Sequence, residues 1–71
     1  MDDNTRNQIR KLLKNFGIMA DEALTTHLSR LTSDRPVHVR ITLEDLTDYG
    51  DAPPEGELHV EIDGRIHPGI Q

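Results

Sequence analysis

The sequence predicts an α+β fold in which two N-terminal helices pack on one face of a two- or three-stranded antiparallel sheet, in the order α-α-β-β-β. Three patterns carry that expectation. Residues 37–43 read Val-His-Val-Arg-Ile-Thr-Leu, apolar at every second position, which is the period of a half-buried strand. Residues 57–62, Glu-Leu-His-Val-Glu-Ile, alternate in the same way. Upstream of both, apolar residues recur at steps of three and four, the period of an amphipathic helix.

In chain order, residues 1–4 read as a frayed tail. Thr5 and Gln8 have the spacing of a capping box, in which the hydroxyl and the amide satisfy free N–H groups at a helix start. A first helix then runs to Phe16, with Ile9, Leu12, Leu13 and Phe16 on one stripe and Gly17 as a left-handed stop. A second helix begins near Asp21 as its cap, places Ala20, Ala23, Leu24, His27, Leu28 and Leu31 on its stripe, and ends before Thr32-Ser33-Asp34-Arg35-Pro36. His27 is read as a boundary residue of that stripe. The first strand follows at once.

Residues 44–56 form a long acidic loop containing Pro53-Pro54, Gly50 and Gly56. The second strand follows from Glu57, and Asp63-Gly64 reads as a hairpin signal. A three-residue loop of Ile62, Asp63 and Gly64 would pair Glu61 with Arg65 and Val60 with Ile66, which keeps apolar residues on one face. Pro68 limits the third strand to a short edge piece, and residues 68–71 are a tail.

Seventy-one residues are expected to form one small domain, residues 1–71, near the lower size limit for a core without metal, disulfide or partner. Phe16 and Tyr49 are the only large rings, so the core must come from Leu, Ile and Val. The absence of cysteine excludes a disulfide framework, a Cys-based zinc site and a thiol nucleophile, and fits a reducing compartment. No long apolar run and no apolar leader is present, so no membrane span or signal peptide is expected, and the expected location is cytoplasmic.

The net charge of −5 argues against general attraction to nucleic acid or anionic lipid. Its distribution is uneven. Residues 5–16 carry Arg6, Arg10, Lys11 and Lys14 with no acid, whereas residues 41–64 carry Glu44, Asp45, Asp48, Asp51, Glu55, Glu57, Glu61 and Asp63 with no base.

These residues bear on four kinds of chemistry. His38, His59 and His67, with Glu57, are the side chains zinc would accept, but their spacing matches no metal signature, and solvated histidines beside glutamates are the plainer reading. The acids of the loop, Asp45, Asp48, Asp51 and Glu55, lack the spacing of a calcium loop. Arg6, Arg10, Lys11 and Lys14 suit phosphates, and two helices followed by a hairpin resemble a winged helix-turn-helix; a nucleic-acid-binding protein of that kind is the alternative function. Against it stand the second helix, whose exposed positions are hardly basic, and the acids of the second half, which would repel a duplex.

Catalysis is not expected. Thr25, Thr26, Ser29 and Ser33 lack a patterned base, there is no Gly-rich phosphate loop, and so small a core can hardly enclose a substrate pocket of ~300 Å³ or more. The leading expectation is a small protein-protein interaction or accessory module, homodimeric or attached to a partner protein, with no cofactor and no small-molecule substrate. Its contact residues would be those of the open sheet face: His38, Arg40, Thr42, Glu57, His59, Glu61 and Arg65.

Overall fold

The computed structural model describes residues 1–69 and is α+β, with one helix and one two-stranded antiparallel sheet. The chain divides into two compact units, Met1–Ser33 and Asp34–Gln71. The first unit is built on α1, Asp3–Ser29, and the second on β1, Val37–Glu44, and β2, His59–Ile66. No helix among the described residues is long and apolar enough to cross a membrane. Of the expected C-terminal tail, residues 70 and 71 lie outside the described residues.

The two expected helices are one continuous helix of 27 residues. It starts earlier than the Thr5 cap predicts: the Asp2 carboxylate accepts a hydrogen bond from the Thr5 N–H at 2.8 Å, so Asp2 is the N-cap and Thr5 lies in the first turn. The Asp2 carboxyl is held below its usual range by these Thr5 hydrogen bonds, which favour its charged form. Gly17 does not take the left-handed conformation of a helix stop. A glycine inside a helix costs about 1 kcal/mol relative to alanine, which is too little to break a segment of good helix formers when no proline follows. Asp21 is a mid-helix residue, accepting from the Thr25 hydroxyl one turn later at 3.1 Å. The end is nearer to expectation: Arg30 caps the helix and its N–H points at the carbonyls of His27 and Leu28.

The expected third strand is also absorbed. β2 runs through Asp63 and Gly64 without turning, pairing with β1 from Glu44↔His59 to Val37↔Ile66. Gly64 lacks the positive φ the hairpin required; Gly50, Gly56 and Gly69 have it instead. A turn at residue 63 would leave Val37–Arg40 facing at most a short piece ending at Pro68. The straight continuation gives each of those residues a ladder partner and keeps Val60, Ile62, Gly64 and Ile66 on one side of the strand.

The segregation of faces follows the predicted alternation. Directly opposed residues share a face in an antiparallel pair, so Val37↔Ile66, Val39↔Gly64, Ile41↔Ile62 and Leu43↔Val60 make an apolar face. His38↔Arg65, Arg40↔Asp63, Thr42↔Glu61 and Glu44↔His59 make a polar one. No side chain among the described residues is buried, and Val60 and Ile62 remain 53% and 61% exposed.

Candidate interaction surface of the ribbon

The polar face is tied together by cross-strand charge. Arg40 lies opposite Asp63, with its Nε donating to Oδ1 at 2.8 Å and its terminal nitrogen to Oδ2 at 3.3 Å. The same Nε lies 3.1 Å from Glu61 Oε1. His38 Nε2 lies 3.8 Å from Asp63 Oδ2, and His59 Nδ1 lies 3.9 Å from Glu44 Oε1. Hydrogen bonding to the guanidinium holds the Asp63 carboxyl below the usual aspartate range, with His38 adding a smaller pull in the same direction, and raises the Arg40 value. Arg40 is therefore engaged within its own ribbon.

The expected contact residues divide accordingly. His38, Arg40, Thr42, His59, Glu61 and Arg65 share the polar face. Glu57 does not: it precedes β2 and lies in the connection between the strands, because β2 starts two residues later than the alternation suggests. His67 follows the end of β2 at Ile66, outside any strand. Nor does the register gather the metal candidates. His38 lies opposite Arg65, six positions along β2 from His59, a separation of roughly 20 Å at ~3.3 Å per residue. Among the described residues no cluster of three or more His, Cys, Asp or Glu side chains is placed to hold a metal ion.

The connection between the strands is ordered by its own side chains. Asp45 accepts from the Thr47 N–H at 2.9 Å and from the Tyr49 hydroxyl, and Asp48 accepts from the Gly50 N–H at 2.9 Å. These short-range bonds imitate backbone turns. The Tyr49 bond is the largest cause both of the lowered Asp45 value and of a raised Tyr49 value, since it favours a charged carboxylate beside a neutral phenol. Between this loop and the Glu44–His59 end of the ribbon lies an open concavity of about 400 Å³, lined by Asp45, Thr47, Tyr49, Pro53, Pro54 and Leu58 among others. It is open rather than enclosed, and the Tyr49 hydroxyl lies in it, hydrogen-bonded to the Asp45 carboxylate.

The basic residues Arg6, Arg10, Lys11 and Lys14 lie on the N-terminal half of α1. The helix-turn-helix that made them resemble a winged helix is replaced by one uninterrupted helix, so among the described residues no second helix is set by a turn to read a groove.

No family model matches the chain, and no curated protein or solved structure matches it significantly. Its chemistry has to be read from its own surfaces.

The face expected to be core is instead largely exposed. Val37, Val39, Ile41 and Leu43 with Val60, Ile62 and Ile66 form an apolar face about 20 Å long at ~3.3 Å per residue, with Gly64 opposite Val39. Ile41, Leu43, Val60 and Ile62 are all exposed. The alternation was the signal for this face; only its being open could not be read from the pattern.

Proposed function

We propose that the chain is a non-catalytic protein-interaction module whose ribbon is completed by the protein it binds, either a second copy or a different chain. The exposed apolar face of β1 and β2 carries this reading. A two-stranded ribbon is marginal in water and gains stability from a further strand or a covering layer, and a contiguous exposed apolar face is the usual mark of a docking surface. Each strand has one edge without a strand neighbour among the described residues, so main-chain pairing is open to a partner as well. Arg40, Glu61 and Asp63, tied together on the opposite face, hold the two strands in register, while the aliphatic residues supply the affinity. A reducing, cytoplasmic setting accompanies this reading, since the chain has no cysteine to bridge.

Affinity capture with the full chain, compared with Ile62→Lys and with Thr42→Ala, tests it. A lysine at position 62 places a charge in the centre of the apolar face and is expected to abolish capture of a specific protein, whereas Thr42→Ala, on the polar face, leaves it intact. Capture unaffected by Ile62→Lys refutes the proposal.

A further inference from the structure

We propose that the outer edge of β1 pairs antiparallel with the same edge of a second copy of the chain, about a two-fold axis at Ile41, giving a four-stranded sheet in the order β2-β1-β1-β2. This rests on the reading above that a protein completes the ribbon, and it names that protein. The edge itself specifies the chemistry of its occupant. Alternate N–H and C=O groups of Val37–Glu44 point away from β2, and among the described residues no strand lies beside them. Another extended main chain offers donors and acceptors at the same repeat. β1 is eight residues long without proline, glycine or bulge, so nothing in it blunts the edge, whereas β2 contains Gly64 and Pro68 follows soon after its end.

Charge decides which edge can accept its own copy, and in which register. Opposed residues of an antiparallel pair share a face, so a two-fold pairing that keeps apolar with apolar is centred on a residue rather than between two. Centred on Ile41, the pairing covers His38–Glu44. It sets His38 against Glu44 of the second copy, Arg40 against Thr42, Val39 against Leu43 and Ile41 against Ile41, with no like charges opposed. Centred on Arg40, it would set Arg40 against Arg40. Centred on Thr42, it would oppose Arg40 and Glu44 but leave Val37, His38 and Val39 without strand partners, and Arg40 is already held by Asp63 and Glu61. β2 has no register of the same length free of opposed acids. Centred on Ile62 it would set Glu61 against Asp63 twice, and centred on Asp63 it would set Asp63 against itself.

The pairing about Ile41 also extends both faces across the axis. On the apolar face, Ile62 and Ile41 meet Ile41 and Ile62 of the second copy in one row. On the polar face, Arg65 and His38 meet Glu44 and His59 of the second copy, so that Glu44, already 3.9 Å from His59 Nδ1, lies between two imidazoles.

The test uses the full chain, which has no cysteine of its own. Sedimentation equilibrium is expected to give a two-chain mass. Ile41→Cys is expected to form a disulfide-linked pair with oxidised glutathione, because the two copies of position 41 face each other with Cα atoms ~4.5–5.5 Å apart, within reach of a disulfide. Val37→Cys and Ile62→Cys are not: copies of position 37 lie roughly 26 Å apart at ~3.3 Å per residue, and copies of position 62 roughly 14 Å apart across three spacings of ~4.8 Å. Thr42→Arg is expected to weaken association roughly three- to tenfold at low salt, since it opposes Arg40 of the second copy twice. Within its own ribbon that position faces Glu61, so circular dichroism stays unchanged. A mass of one 8.0 kDa chain at several hundred micromolar overturns the proposal. So does linkage at position 62 in place of 41, or at 37 as well, the mark of a parallel in-register pair. A single-chain mass with capture still sensitive to Ile62→Lys removes self-pairing and leaves the ribbon reading standing, whereas a two-chain mass linked through position 41 supports self-pairing whatever Ile62→Lys does to capture.

Discussion

Arg40 and Asp63 face each other across the two strands, the guanidinium meeting both carboxylate oxygens at 2.8 Å and 3.3 Å. The contact exists only because β2 continues straight through the Asp-Gly pair, so it reports the register as well as the charge. Asp63 has its folded value lowered, so the contribution of the pair to ribbon stability is complete above the ordinary aspartate value and is lost as pH falls through the lowered one. Carboxyl chemical shifts are expected to give Asp63 a midpoint below that of a free aspartate, and Arg40→Gln to move it back up. An ordinary midpoint in the unaltered chain would show that the pair does not form.

Gly64 distinguishes a strand from a turn. It is extended, lies opposite Val39 and has open space where a Cβ would be. Gly64→Val is therefore expected to stabilise the ribbon by up to about 1 kcal/mol, because a β-branched residue suits a pleated surface better than glycine. A left-handed turn residue would respond in the opposite direction, since valine is strained at positive φ. Thermal and urea unfolding of the variant read the sign directly.

Gly17 gives the corresponding test of the helix. With helical backbone and nothing within reach of an added methyl, Gly17→Ala is expected to raise helix stability by about 1 kcal/mol and to increase the far-ultraviolet helical signal. At a left-handed helix stop the same substitution would lower both.

Tyr49 and Asp45 order the acidic loop. The hydrogen bond raises the phenol above its usual value, so the order it confers is present below the ordinary phenol range and is lost as pH rises through the raised value. Ultraviolet titration of the single tyrosine is expected to show this upward displacement, and Asp45→Asn to reduce it. Tyr49→Phe is expected to increase amide exchange at Thr47 and Gly50 while leaving β1 protected.

Several features of this molecule were legible in its residues. The alternation over 37–43 and 57–62 assigns each side chain of those segments to a face, and the structure places β1 and the first half of β2 accordingly. The spacing of Ile9, Leu12, Leu13 and Phe16 marks a helix, and Pro36 marks the break before β1. The straight course of β2 also had a signal: Gly64 and Ile66 continue the period of Val60 and Ile62, and Asp63 is complementary to Arg40. The Asp-Gly dipeptide is a strong local turn former, but the ladder with Val37–Arg40 prevails over it.

Side-chain periodicity thus determined which residues share a surface, because the two-residue repeat of a strand and the 3.6-residue repeat of a helix are properties of the backbone that any sequence must obey. Whether Gly17 and Gly64 would interrupt their elements was decided only by longer-range pairing. Glycine populates the left-handed and the regular conformations at nearly equal cost, so the choice passes to the ladder opposite Val37–Arg40 and to the helical segments on either side of residue 17.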